Sequence, residues 1–105
     1  PADAPWITGY RTDAEVGLFL RLKGETGRLV FSQIEAEASA LWSECGLDVV
    51  FQMKAEEPFE GFVTVFRKRS DLGDDAAQLA WLKIVTDRFV SAMRPRLKAL
   101  YARDE

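Results

Sequence analysis

None of the 105 residues is histidine, which removes the commonest general base and the commonest transition-metal ligand. Serine and cysteine hydrolase triads that depend on an imidazole are excluded with it. Cys45 is the single cysteine, so structural zinc and any intramolecular disulfide are excluded as well. Cys45 falls on an apolar stripe beside a helix end and reads as a small buried hydrophobe rather than a reactive thiol. Carboxylates are more abundant. Glu56, Glu57 and Glu60 gather around Pro58, and oxygens so close can hold a hard cation. Their spacing does not follow a calcium loop, which sets a glycine in its middle, so a solvated acidic loop is expected. Asp71, Asp74 and Asp75 suit the start of a helix, where they cap backbone donors and complement the dipole.

Gln52-Met53-Lys54 has the form of one half of a restriction-type nuclease centre, which needs a second acid on an adjoining strand. The nearest acid, Asp48, lies four residues earlier on the same expected strand, so the geometry fails. The glycines, at 9, 17, 24, 27, 46, 61 and 73, form no phosphate-cradling cluster. No catalytic residue, cofactor site or metal site is therefore assigned.

Basic residues concentrate in two places. Arg67, Lys68 and Arg69 end the last expected strand, while Arg94, Arg96, Lys98 and Arg103 crowd the last helix. Arg67, Lys68, Arg69, Arg94 and Lys98 are the candidate nucleic-acid contacts, as a modest phosphate-facing patch. The competing reading is a solvated helix whose terminal cations complement its dipole. The formal charge of −3, from 14 basic and 17 acidic residues, gives no global cationic field. Arg96 falls in helical phase with the core stripe, so either Pro95 resets that phase or Arg96 pairs with a buried acid. Trp6, Trp42 and Trp81 can stack on bases or sugars, but packing in a core or interface is their commoner role.

The elements that must position these residues follow from periodicity. Trp6–Arg11 reads as a strand, Thr12–Ala14 as a turn, and Val16, Leu18, Leu20 and Leu22 alternate with Gly17, Phe19, Arg21 and Lys23 in a second strand. A helix is expected from near Thr26 to Gly46, with Val30, Ile34, Ala38, Leu41 and Cys45 on its buried stripe and Gly46 in a left-handed cap. Leu47–Lys54 and Phe62–Lys68 are the third and fourth strands. The last is apolar on both sides, which places it centrally or beneath a second cover. A long helix then carries Leu79, Leu82, Val85, Phe89, Ala92 and Met93, with Pro95 expected to kink or interrupt it. The strands Gly17–Lys23 and Gly61–Arg67 share a glycine start and a basic end, a faint sign of duplication. The fold expected is α+β, ββαββα, a four-stranded antiparallel sheet with two helices packed on one face.

With 48% hydrophobic residues, residues 1–105 can build the core of one domain. No apolar run approaches the roughly 18 residues that cross a bilayer. Pro1–Pro5 lacks a signal-peptide layout, so the cytoplasm is expected.

Val16-Gly17-Leu18-Phe19-Leu20, Ile34-Glu35-Ala36-Glu37, Gly46, Trp81-Leu82, Phe89-Val90 and Arg94-Pro95-Arg96-Leu97 together carry a resemblance across nearly the whole chain. It resembles a bacterial domain family of unknown function that often follows a restriction-endonuclease-like segment. The family usually flanks the third strand with a Gly and a Trp; here Gly46 is kept and Phe51 stands near the Trp position. The resemblance implies the company of a nuclease or defence system, leaves open that this is the C-terminal part of a longer protein, and carries over no catalytic residue. The expected function is a non-enzymatic accessory module that pairs with itself, as a homodimer, or with a partner protein. The alternative is a nucleic-acid-binding module using the two basic patches.

Overall fold

The alternation that begins at Val16 is realised as the central strand of a sheet. The computed structural model describes residues 6–46, 49–54 and 56–103. Strands β1 (Trp6–Arg11) and β2 (Glu15–Lys23) form an antiparallel hairpin. Thr12 closes its turn: its N–H donates to the Glu15 carbonyl at 2.8 Å, and its Oγ1 accepts from the N–H groups of Ala14 and Glu15. Strands β3 (Val50–Lys54) and β4 (Glu60–Lys68) form a second antiparallel pair. The two pairs join through β2 and β4, giving an antiparallel sheet in the order β1-β2-β4-β3. Leu47 and Asp48, read as the start of the third strand, lie outside the described residues, as does the side chain of Cys45.

The β2–β4 register runs from Glu15↔Lys68 to Lys23↔Glu60, with Phe19↔Thr64 at its midpoint. Equivalent positions of the two strands are thus 45 residues apart. Gly17 and Gly61 are not equivalent in that frame and face opposite sides of the sheet. A Cβ on Gly17 would lie 2.4 Å from the Val65 carbonyl, whereas one on Gly61 would meet Phe31 and Phe59. The shared glycine start is therefore not a structural correspondence, although each hairpin does lead into a helical segment.

Helices cover one face. Val16, Leu18, Leu20 and Leu22 of β2, with Val63 and Val65 of β4, are almost fully buried beneath them. Each such side chain contributes about 1.5–3 kcal/mol through its removal from water. The first helical segment is two helices rather than one, α1 (Gly24–Ala36) and α2 (Ala38–Cys45), broken at Glu37. Val30, Phe31, Ile34 and Leu41 still enter the core across the break. Gly46 closes α2 in a left-handed conformation, its N–H bonded to the Trp42 carbonyl. After β4, a single turn α3 (Arg69–Leu72) leads to α4 (Asp75–Arg103), whose N-cap is Asp74, accepting from the Ala77 N–H at 2.9 Å.

Pro95, expected to kink or interrupt the last helix, does not interrupt it: α4, 29 residues long, runs through it. Proline leaves the Ser91 carbonyl without its helical donor, but Ser91 and Pro95 are both on the solvent side, where water can satisfy it. Arg96 braces the same turn by donating to the Ala92 carbonyl at 2.6 Å. It also settles its own phase problem by pairing with acids, though half-exposed ones. Its guanidinium reaches Glu44 at 2.6 Å and Glu37, at the α1–α2 break, at 3.2 Å. Burial alone would lower the Arg96 pKa; the bonds and charges of Glu44 and Glu37 outweigh it and hold it above the ordinary value. No helix among the described residues is long and apolar enough to cross a membrane.

Two outcomes are expected in urea denaturation. Gly17→Ala forces a side chain against the β4 backbone and lowers stability by about 1–3 kcal/mol. Arg96→Ala removes a bridge to two partly solvated acids and costs about 1 kcal/mol, a loss that shrinks in high salt.

Candidate functional site

The face of the sheet away from the helices has no cover among the described residues. Strand alternation and register place Trp6, Thr8 and Tyr10 of β1 there, with Glu15, Gly17, Phe19, Arg21 and Lys23 of β2. Strand β4 adds Glu60, Phe62, Thr64, Phe66 and Lys68, and β3 adds Val50, Gln52 and Lys54. Aromatic rings run across this surface. Tyr10 and Phe19 have centroids 6.0 Å apart, and Phe19 and Phe62 meet edge-on at 5.6 Å. Trp6 is 60% exposed and Phe66 41%, well beyond what a core aromatic shows.

Polar groups are interleaved with the rings. Arg21 lies between Trp6 and Phe62 in the strand register and donates to the Glu60 carboxylate. Tyr10 donates its phenol hydrogen to Glu15. Burial, then the hydrogen bond and negative charge of Glu15, raise the Tyr10 pKa well above its ordinary value of 10.0. Arg21, Lys23, Lys54 and Lys68 outnumber Glu15 and Glu60, so this face carries a cationic excess on a chain whose formal charge is −3.

A second feature borders the first. The outer edge of β1 has no paired strand among the described residues. Beside it runs a groove of about 320 Å³ lined by Gly9, Val16, Gln78, Leu79 and Leu82, with Arg11 and Asp75 at one end. Leu79, expected on the buried stripe of the last helix, is instead 55% exposed along this groove. The missing Cβ of Gly9 would sit only 3.8 Å from Leu82.

The residues singled out from sequence fall as follows. Arg67 and Lys68 are exposed at the end of β4, and alternation turns them to opposite faces, with only Lys68 on the aromatic side. Arg69 is engaged internally. It donates to Gln78 Oε1 and to the Thr12 carbonyl, both at 3.0 Å, while its backbone N–H bonds to Ala14. Gln78, a buried polar residue of α4, completes that junction by donating to the Gly73 carbonyl. Arg94 and Lys98 are exposed on α4 more than five helical turns from its start, about 28 Å away. The two basic groups therefore sit at opposite ends of the helix and form no single patch.

The acidic loop is tied to neighbouring cations. Glu57 pairs with Arg28 at 2.7 Å and Glu60 with Arg21, while Arg28 also lies over the Phe59 ring. Among the described residues no group of three or more His, Cys, Asp or Glu is placed to hold a metal ion. Trp42 lies partly exposed with its Nε1 donating to the Val49 carbonyl, and Trp81 packs partly buried against the core.

Sequence reasoning passed over Phe19, Phe62 and Phe66 as functional residues. The available signal was that the non-core side of two alternating strands carries aromatics where polar residues are usual. No protein-family model, curated protein or solved structure matches the chain.

The Tyr10–Glu15 bond makes stability sensitive to alkaline pH. The folded state holds the Tyr10 proton more tightly than the unfolded chain, so its contribution is complete below the unfolded phenol pKa. It is lost as the pH rises from about 10 towards the higher folded value. Urea midpoints measured from about pH 8 to 11 should fall more steeply for the natural protein than for Tyr10→Phe.

Proposed function

We propose that the domain is a non-enzymatic accessory module that acts by pairing with a second copy of itself through the free edge of β1. The unpaired edge is the observation that carries this reading. Trp6–Arg11 contains no lysine or proline, the residues that usually blunt exposed strands. The other outer strand, β3, is shorter and ends on Lys54.

The edge is also self-complementary. If two copies of β1 pair antiparallel with Thr8 on the two-fold axis, Trp6 stands opposite Tyr10 of the partner and Ile7 opposite Gly9. Only an even register of this kind keeps core sides together and open sides together. It brings an Ile7 opposite Gly9, at the strand position bordering the groove that Leu79 and Leu82 line, and it makes one continuous sheet of eight strands. Strand addition of this type draws affinity from main-chain hydrogen bonds and specificity from alternate side chains. The resemblance read from the sequence supports a place beside a nuclease or defence system in the bacterial cytoplasm.

Light scattering after size exclusion should give a mass near twice 11.8 kDa at high concentration, falling on dilution. Thr8→Lys or Thr8→Glu alone sets like charges opposite one another on the axis and should yield monomers. Mixing the two variants should restore the dimer, a rescue that loss of folding cannot imitate. A natural chain that stays monomeric throughout, or single variants that dimerise as it does, would overturn the reading.

A further inference from the structure

We infer that the open face of the sheet is a binding site for single-stranded nucleic acid, with Phe62 and Phe66 of β4 as stacking surfaces and Lys23, Lys54 and Lys68 as phosphate contacts. This goes beyond the edge pairing and does not require it, because the residues named lie on β2, β4 and β3 rather than on β1.

Three observations converge on that ligand. First, Phe19 and Phe62 project from adjacent central strands with centroids 5.6 Å apart, and Phe66 stands two alternate positions along β4 from Phe62, with Thr64 between them. Unstacked bases lie on aromatic rings presented in this way by a four-stranded sheet, and every base has a face to offer. Second, the rings remain solvent-accessible: Phe66 is 41% exposed, and Phe19 and Phe62 are partly so. Gly17 keeps the surface beside Phe66 low, since any Cβ there would lie 2.8 Å from that of Phe66.

Third, the charge is arranged for a polyanion although the chain as a whole is acidic. Lys23 and Lys54 flank Glu60 at one end of the face, where Glu60 is already bound to Arg21. Lys68 stands at the opposite end, past Phe66. Cations thus bracket the rings along the strand direction, as a strand tracking across them would need. A duplex fits the arrangement poorly, because its bases are already stacked on one another and its grooves do not present base faces. The nucleic-acid reading of the basic residues accordingly moves from the α4 end, with Arg94 and Lys98, to the sheet, with Lys68 the residue in common.

The test is a fluorescence-anisotropy titration with labelled twelve-residue oligothymidylate and oligouridylate, and a duplex of equal length, at several salt concentrations. Single strands should bind more tightly than duplex, with an affinity falling as roughly the second power of salt for about three phosphate contacts. Phe66→Ala, which removes a solvent-accessible ring and leaves β4 paired, should weaken binding about fivefold or more. Lys54→Glu with Lys68→Glu should weaken it further and flatten the salt dependence, with circular dichroism confirming the fold. Arg94→Glu with Lys98→Glu should change little. No binding of either single strand at low salt, equal binding of duplex, or affinity that ignores Phe66 and follows Arg94 and Lys98 would each overturn the inference.

Discussion

The antiparallel pairing of β2 with β4 is the contact on which the other layers rest. It joins segments 45 residues apart at equivalent positions, and neither hairpin alone presents a wide enough apolar surface to hold a helix. Once the two strands meet, Leu18, Leu20 and Leu22 become continuous with Val63 and Val65, and α1 and α4 have a floor to bury, with α2 packed on α4. Closing so long a loop carries an entropic cost that the hydrophobic floor must offset. The close approach at Gly17, where the β4 backbone leaves no space for a side chain, shows how tightly the seam is drawn.

The same seam creates the unusual face. A strand that buries one side in a helical layer ordinarily shows polar residues on the other. Here the reverse side of β2 and β4 carries Phe19, Phe62 and Phe66, and the pairing brings the first two into edge-on contact. Aromatic pairs of this kind add stability to the sheet. They also leave apolar area in water that a monomeric domain gains nothing by exposing. That tension, with a β1 edge that is unpaired among the described residues beside it, is what the proposed binding roles rest on. The ionic groups nearby serve the scaffold: Arg69 with Gln78 locks the turn into α4, and Arg96 staples α2 and the α1–α2 break to α4.

Much of the architecture was legible in the chain. The four strands in chain order, with Val50–Lys54 as the described part of the third, the helical phase of Val30, Ile34 and Leu41, and the left-handed cap at Gly46 follow from local rules that the structure keeps. The misreadings share a cause. Pro95, expected to kink or interrupt the last helix, does not interrupt it, because the carbonyl it frees lies on the solvent side and Arg96 braces the turn. Leu79 was expected in the core, but it lines the open groove between α4 and β1. The candidate phosphate contacts were grouped by composition, and the length of α4 then set Arg67–Arg69 and Arg94–Lys98 far apart.

The chain by itself determined which residues are apolar on which side of each strand and helix, and which chemistries are closed for want of histidine. These depend on side-chain identity and on backbone periods of about two or 3.6 residues, both local. Only the tertiary structure decided that Phe19 lies beside Phe62, that Arg96 finds Glu37 and Glu44, and that β1 is an edge among the described residues. Those outcomes depend on which strands become neighbours and in what register, and that choice is made by the summed burial of the whole sheet rather than by any one segment.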